Sequence, residues 1–230
     1  MDSFENENNK KYNENITLIN CIKNNLLTWI IIFICITIIS YPNIINGYFT
    51  FIILMLMAYF VHLLSHKYCN FFTKIHKYHH EHNDYFSYIS QIFIELFFGL
   101  FFLNLHSLIL FEPSIIILFT LFYTTIHNIN YGLLRVNDVH YLHHKNMFTN
   151  IGPDICDVIF NTKNNKNLYV EDISHYIPNI ILITILILIF KYFFYNFKNL
   201  KSYCIYLLSL SIYLIGGFLL ISSIILYFIK

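Results

Sequence analysis

The sequence is poor in charged residues. Aspartate, glutamate, lysine and arginine make up 12% of its 230 residues, whereas a soluble domain carries roughly 25%. The net charge is +1, and no run of lysine or arginine forms a basic stripe of the kind that binds nucleic acid. The composition therefore argues against an ordinary soluble domain and against a nucleic-acid-binding protein.

Paired cysteines and a cleavable signal peptide are also lacking. The five cysteines form no C-x-x-C pair and no regular framework, so we interpret them as reduced thiols that face the cytosol or the membrane. Residues 1–25 are polar and rich in Asn, Lys and Glu, which predicts a disordered cytosolic leader. The first apolar segment is then interpreted as a retained membrane anchor.

Hydrophobic residues account for 57% of the chain and fall in long uninterrupted runs. A helix needs about 20 apolar residues to cross the hydrocarbon core of a bilayer, and segments in lipid must satisfy their own backbone groups, which favours helices. The runs predict an all-α, polytopic membrane helical bundle of about six spans in hairpins. The expected spans are Leu26–Ile45, Tyr48–Leu64, Tyr88–Phe111, Ser114–Leu134, Pro178–Phe197 and Cys204–Phe228.

The lysines and arginines predict the orientation of this bundle. With six spans, both termini and residues 65–87 and 135–177 share one side, which carries eleven of these residues, and the other side keeps Lys191, Lys198 and Lys201. The positive-inside rule places the richer side in the cytosol. We therefore expect a cytosolic leader at 1–25, a membrane domain at 26–177 with a cytosolic histidine-rich cap, and a transmembrane hairpin at 178–230.

Histidines are concentrated in three motifs on the expected cytosolic side. Residues 62–66 read H-x-x-x-H, and residues 76–80 and 140–144 both read H-x-x-H-H. Side chains at i, i+3 and i+4 share one face of a helix, so each motif predicts a convergent set of imidazoles. The eight motif histidines are His62, His66, His76, His79, His80, His140, His143 and His144.

The number of these histidines predicts two metal ions. Neutral imidazole is a ligand for iron, copper and zinc, and eight imidazoles exceed what one tetrahedral zinc ion can use. The sequence contains no H-E-x-x-H, the helical motif of one class of zinc protease. A site for two ions is the economical interpretation.

The histidine motifs and the segments around them resemble the fatty acid hydroxylase superfamily, which includes sterol desaturases, sterol C-4 methyl oxidases and lipid hydroxylases. The similarity covers residues 62–162. It lies in HLLSHKYCNFFTKIHKYHHEH at 62–82, IHNIN at 126–130 and HYLHHKNMFTNIGPDICDVIFNT at 140–162. The chain departs from the family pattern at Cys156, where tryptophan is common, at Asn161, which replaces a glycine, and at Tyr131, where some members have a further histidine.

The resemblance implies a site, a cofactor and partners. It implies a ninth ligand, His127, and two iron ions that oxidise a membrane lipid with O2, by hydroxylation or desaturation of a fatty acyl chain or sterol. Electrons would come from a separate carrier such as cytochrome b5 with its reductase, and the implied location is the endoplasmic reticulum. Glu95, an acid within an apolar span, and Asp157, which matches the family pattern, are candidates to orient ligands; Asp157 could equally cap a helix.

Two other functions are compatible with the histidines. The chain could be a catalytically silent membrane protein with a structural or regulatory metal site, or it could be a metal transporter. A transporter is expected to line a path through the bilayer with polar residues, whereas the three motifs gather on one expected face of the membrane. An oxygen-dependent lipid oxidoreductase is therefore the leading hypothesis.

Overall fold

A computed structural model describes residues 17–67, 71–82, 84–106, 110–164 and 169–195. These residues form an all-helical fold, and no strand occurs among them. Besides a π-helix at Ile126–Leu133 and a 3₁₀ turn at Ser174–Tyr176, the α-helices are α1 (Leu18–Asn24), α2 (Leu26–Ser40), α3 (Ile44–Lys67), α4 (Phe71–Glu81), α5 (Tyr85–Leu105), α6 (Pro113–Thr125), α7 (Val139–Lys145), α8 (Asp154–Ile159) and α9 (Ile177–Tyr195).

Three to four of these helices could cross a membrane. Ile44–Lys67, Tyr85–Asn104 and Ser174–Tyr192 are long and apolar enough, and α1 with α2 makes a fourth candidate if that pair, bent by 74°, counts as one span. The second, third and fifth predicted spans lie on α3, α5 and α9, and the first lies largely on α2. The sixth, Cys204–Phe228, lies outside the described residues.

The fourth predicted span has a different structure. Ser114–Leu134 divides into the 13-residue α6 and the 8-residue π-helix, so neither part is counted among the membrane-length helices. Ile115, Ile116 and Leu118 of α6 are fully buried, and α6 packs against α3, α5 and α9. The α-helix continues directly into the π-helix, so the apolar run lies on one unbroken helical segment at the centre of the bundle, which its neighbours cover.

Part of the predicted disordered leader is helical. Thr17 caps α1 by accepting a hydrogen bond from the Asn20 backbone N–H (3.2 Å), and Cys21 is buried. The Asn25 side chain donates to the Glu171 carbonyl (2.8 Å) and accepts from the Ile173 N–H (3.0 Å). These partners are about 146 residues away in sequence, so the polar composition of the leader does not reveal them.

The helices bring several segments together at one end of the bundle. The C-terminal end of α3, the N-terminal half of α5 and the π-helix that follows α6 meet there, and the short helices α4 and α7 lie beside them. All three histidine motifs lie on these segments. The fold therefore gathers the histidines into one region.

Candidate metal centre

Five histidines from three helices form the larger of two groups. Their potential ligand atoms all lie within 4.8 Å of one another and could hold a metal ion. The contacts run between Nε2 atoms, at 3.0 Å for His143 and His62 and at 3.2 Å for His76 and His66. The five-histidine group consists of His62, His66, His76, His80 and His143.

A three-histidine group adjoins it. His79, His140 and His144 also place one ligand atom each within 4.8 Å of the others. The ring of His144 stacks on that of His80 in the larger group, with centroids 4.1 Å apart. His127, the ninth predicted ligand, lies beside the smaller group, its ring 4.6 Å from that of His140. The structure thus brings all nine predicted ligands into one region.

Each H-x-x-H-H motif is divided between the two groups. Successive helical residues are about 100° apart, so residue i+4 lies about 40° to one side of residue i and i+3 about 60° to the other. On α4, His76 and His80 join the five-histidine group and His79 joins the other. On α7 the division is reversed: His143 joins the larger group, and His140 and His144 form the smaller one with His79.

Hydrogen bonds at the Nδ1 atoms aim two imidazoles of the five-histidine group. The Nδ1 of His143 donates to the Thr149 carbonyl (2.8 Å), and the Nδ1 of His76 donates to the Gln91 side-chain oxygen (3.1 Å). A neutral imidazole with its proton on Nδ1 keeps a lone pair on Nε2. These two Nε2 atoms therefore point their lone pairs into the group, where they can coordinate a metal ion.

Residues around the three-histidine group are anchored in the same way. The Nδ1 of His127 donates to the Glu95 carboxylate, which also accepts from Asn128 (2.7 Å). The Nδ1 of His79 lies 3.1 Å from the Ser87 hydroxyl. The Nε2 atoms of His79 and His127 are buried, and neither has a hydrogen-bond partner within the described part of the chain. A metal ion would satisfy both.

A polar stripe on α5 supplies most of these anchors. Ser87, Gln91 and Glu95 recur every fourth residue on one face of an otherwise apolar helix, and all three are buried. Glu95 is predicted from the sequence as a candidate orienting residue, whereas Ser87 and Gln91 are not. Their four-residue spacing inside an apolar run is the signal that would have found them, because it places all three on the side that meets the histidines.

Burial favours the neutral form of five imidazoles on α4 and α7, those of His79, His80, His140, His143 and His144. It lowers the pKa of His143 to about 3 and that of His144 to about 4, and that of His79 to about 2, where neighbouring imidazoles contribute. Burial likewise lowers the pKa of His80 and His140. Neutral imidazoles are the form that binds metals, so the groups are ready to bind at neutral pH.

The spacing and chemistry of the nitrogens fit a metal ion. Nitrogens that each lie about 2.1 Å from one ion are about 3.0 Å apart at adjacent corners of an octahedron and about 3.4 Å apart in a tetrahedron. The Nε2 contacts in the five-histidine group measure 3.0–3.3 Å. An all-imidazole set suits iron, copper or zinc. The groups can therefore hold transition-metal ions, and the choice of metal is a separate question.

The other predicted orienting residue, Asp157, organises a loop. It accepts hydrogen bonds from the Ile151 N–H (3.0 Å) and the Thr162 hydroxyl (2.7 Å), and histidines are not among its hydrogen-bond partners in the described residues. Burial raises its pKa to about 7. The loop that it braces includes Thr149, whose carbonyl accepts a hydrogen bond from His143. Asp157 therefore contacts the ligands only indirectly, through the position of this loop.

A polar cluster that no sequence motif predicts lies next to His140. The ring of Tyr131 stacks on His140 (5.3 Å between centroids), and its hydroxyl donates to the carboxylate of Glu171, a residue 1% exposed. Asn137 donates to the same carboxylate (2.8 Å), and the Tyr176 hydroxyl is 2.8 Å from that of Tyr131. The hydrogen-bonded partners are 34 to 45 positions apart in the sequence, so no local motif predicts the cluster.

Two apolar cavities flank the histidines. The larger, about 350 Å³, lies between α3, α5 and α6 and is lined by His62, His76 and Glu95 among apolar residues. The smaller, about 100 Å³, is lined by His62, His127 and His140, by Tyr131, Glu171 and Tyr176, and by apolar residues of α2, α3 and α6. Apolar molecules that enter either cavity would lie directly beside the candidate ligands.

His82, His106 and His175 belong to neither group, and the ring of His175 packs on that of Tyr131, with centroids 5.4 Å apart. His82 is exposed and stacks on Tyr78, and His106 bonds to the Leu103 carbonyl.

Comparisons with protein-family models, with curated proteins and with solved structures find no match to this chain. A function for this chain therefore depends on the arrangement of the histidines and cavities.

Proposed function

We propose that this protein is a membrane oxidoreductase of the fatty acid hydroxylase type, which oxidises a lipid at a histidine-bound pair of iron ions. The observation that carries the proposal is the placement of two adjoining groups of buried imidazoles against apolar cavities, at one end of helices long enough to cross a bilayer. A lipid could reach such a site from the membrane without entering water.

The chain's own residues would have distinct roles. The five-histidine group would hold one ion, and the three-histidine group with His127 would hold the other. When bound, two iron ions would supply O2-dependent, two-electron oxidation of a C–H bond, chemistry that side chains alone cannot perform. Glu95 would orient His127 and raise its basicity, as carboxylates behind ligand histidines do. The cavity walls would position the lipid and exclude water.

The membrane topology and the partners belong to the same proposal. A bundle of six spans, with the histidines in a cap on the cytosolic side, would let a soluble or membrane-bound electron carrier such as cytochrome b5 reach the site while the lipid arrives from the bilayer. The positive-inside distribution of lysine and arginine supports this orientation. The endoplasmic reticulum is the location that the family resemblance favours.

The metal content of the protein, purified in detergent under low oxygen, tests the first half of the proposal. We expect about two irons per chain, one for each group, and clearly fewer in a His143→Ala/His144→Ala variant. His82→Ala is the matched control, because His82 is an exposed histidine outside both groups. Tightly bound zinc that iron cannot replace would instead favour a structural site, and absence of metal would contradict the proposal.

Lipid profiling tests the second half. Cells that express the wild-type chain should accumulate a lipid that has gained one oxygen or lost two hydrogens, and cells that express His143→Ala/His144→Ala should not. The His82→Ala variant should match the wild type. An iron-loaded protein that leaves every lipid class unchanged would argue for the silent alternative.

A further inference from the structure

The larger cavity extends along two antiparallel helices, away from the histidines. On α3 its lining residues run from Ser65 back to Leu54, and on α5 they run from Gln91 to Phe102. The two residues of each pair are eleven positions apart, which at about 1.5 Å per residue is about 17 Å. The two helices therefore give the same length for the cavity.

The two ends of this cavity differ in polarity. Ser65 and Gln91 line the end at the histidines, whereas Leu54 and Phe102 line the other end and belong to one apolar cluster. Thr120 also lines the cavity, but its hydroxyl donates to a backbone carbonyl one turn earlier (2.8 Å). A lipid would therefore lie with its polar part toward the histidines and its apolar end at Leu54 and Phe102.

The volume of the cavity matches one hydrocarbon chain. A volume of about 350 Å³ over a length of about 17 Å gives a mean cross-section of about 20 Å². Carbon atoms in contact are about 4 Å apart, so a single extended chain has about this cross-section. Because such a chain advances about 1.3 Å per carbon, about 13 carbons occupy the length of the cavity.

A second estimate, from volume alone, gives a similar number of carbons. An engineered apolar cavity of about 150 Å³ holds one benzene ring, so about 350 Å³ corresponds to about 14 carbon atoms. On the same scale a sterol of about 27 carbons needs about 700 Å³, which is more than the two cavities together provide. The size of the cavity therefore favours a chain over a sterol.

From these observations we propose that the larger cavity holds the terminal part of an unbranched acyl or alkyl chain, with the methyl end at Leu54 and Phe102 and the head at or beyond the histidines. His62 is eight positions from Leu54, about 12 Å along α3. The carbons beside the histidines are then about 9 to 13 carbons from the methyl end. The inference rests on the proposed function in naming the class of its substrate, but binding itself requires no oxidation.

Photoaffinity labelling of the full-length, zinc-loaded protein in phosphatidylcholine vesicles tests this placement. Zinc binds imidazole but undergoes no redox chemistry, so the readout is independent of activity. The probes are octadecanols that carry one diazirine, either at the penultimate carbon or about 4, 8 or 12 carbons from the methyl end, which together cover the length of the cavity. Peptide mass spectrometry locates the adducts.

The adducts should follow the position of the diazirine. We expect the penultimate diazirine to label Leu54 or Phe102, and the diazirine farthest from the methyl end to label Val61 or Ser65, which line the histidine end. Moving the diazirine by about four carbons should move the adduct by about one helical turn. The same adducts from every probe, or adducts in the reverse order, would overturn the inference.

Competition distinguishes a chain from a sterol. Excess unlabelled octadecanol should remove the adducts in the larger cavity, and the same amount of cholesterol should leave them in place, because the cavity is too small for a sterol. Stronger displacement by cholesterol than by octadecanol would overturn the choice of a chain.

Leu54→Trp tests the apolar end of the cavity. The larger side chain fills part of this space, so the adducts of the penultimate diazirine should move from Phe102 toward Phe98, about one turn nearer to the histidines. Ile52→Trp is the matched control on α3, because Ile52 is 47% exposed and lines neither cavity. Adducts that stay at Phe102 in Leu54→Trp would overturn the inference, and the wild-type probe series decides the question if this variant fails to fold.

This inference and the proposed function can fail separately. Ordered labelling of the cavity in a protein that oxidises no lipid would contradict the proposed function alone. Oxidation of a lipid by a protein in which every probe gives the same adducts would contradict this inference alone.

Discussion

The five-histidine group and the three-histidine group are held by different chemistry. In the larger group, the Nδ1 atoms of His76 and His143 donate to neutral acceptors, the side chain of Gln91 and the carbonyl of Thr149. Buried acids stand behind the smaller one: Glu95 accepts from His127, and Glu171 holds Tyr131, which stacks on His140. Among the described residues, a carboxylate thus bonds directly to an imidazole only beside the smaller group, whereas Glu95 reaches the larger group through Gln91, which donates to it (2.9 Å).

The two groups differ in how they would compensate the positive charge of a bound metal ion. An ion surrounded by five neutral imidazoles gains its stability from the number of ligands, whereas an ion with fewer imidazoles gains more from negative charge close by, which raises the basicity of the ligands. The two groups should therefore respond differently to the loss of a ligand and to the loss of an acid. Mutations that act on one group at a time can test this.

The largest effect should follow removal of two ligands from one group. His76→Ala/His143→Ala should empty the five-histidine group, and His140→Ala/His144→Ala the smaller one, so that each variant keeps about one metal ion of two. Metal analysis of the purified variants measures this. Loss of both ions in each variant would show that the groups bind as a single unit.

The acid beside the smaller group should make stability depend on pH. Burial raises the pKa of Glu171 from 4.5 to about 7, so the folded protein holds this proton more tightly than the unfolded chain does. Its contribution is complete below about pH 4.5 and is lost as the pH rises to about 7, by on the order of 3 kcal/mol. The thermal stability of the wild type should therefore fall relative to Glu171→Gln between pH 5 and 8.

The comparison with Glu171→Gln removes the contributions that the two proteins share. Asp157, whose pKa burial also raises to about 7, is present in both, as are the histidines. A stability difference that is constant from pH 5 to 8 would mean that Glu171 is already ionised in the folded protein at the lower pH.

Glu95→Gln and Gln91→Leu form a matched pair on neighbouring turns of α5. Glu95→Gln removes the charge behind His127, and loss of such a partner typically weakens metal binding 10- to 100-fold, roughly. Gln91→Leu removes a neutral partner from one of five imidazoles, and it also removes one hydrogen bond to Glu95, whose charge remains. It should therefore weaken metal binding less than Glu95→Gln does. Competition with a chelator measures both affinities. The reverse order would contradict the charge-compensation argument.

The sequence predicts the ligands better than it predicts their partition. Positions i, i+3 and i+4 converge because of helix geometry alone, so the motifs on α4 and α7 are visible in the sequence. Which member joins which group depends on how α4 and α7 dock against α3, and this is set by tertiary packing. His79 and His76 therefore read as one face of a helix although they serve different groups.

Long-range partners account for most of what the sequence does not reveal. Glu95 stands out as an acid in an apolar run, but the role of Glu171 depends on Tyr131 and Asn137, which are 40 and 34 positions away. The same holds for α1, which Asn25 ties to the loop before α9. Composition indicates which helices could cross a membrane, and it gives no information on such pairings.

Ser87→Ala should have the smallest effect. The Ser87 hydroxyl is a neutral partner, 3.1 Å from the Nδ1 of His79, and a small buried site can admit a water molecule in its place. We expect metal affinity at the three-histidine group to fall by less than about tenfold, below the range for a charged partner. Ser90→Ala, one turn along α5, is the control, because its hydroxyl bonds only to the Ser87 carbonyl among the described residues. If Ser87→Ala weakened binding as much as Glu95→Gln, orientation of the imidazoles would matter more than charge, and the contrast between the two groups would need a different explanation.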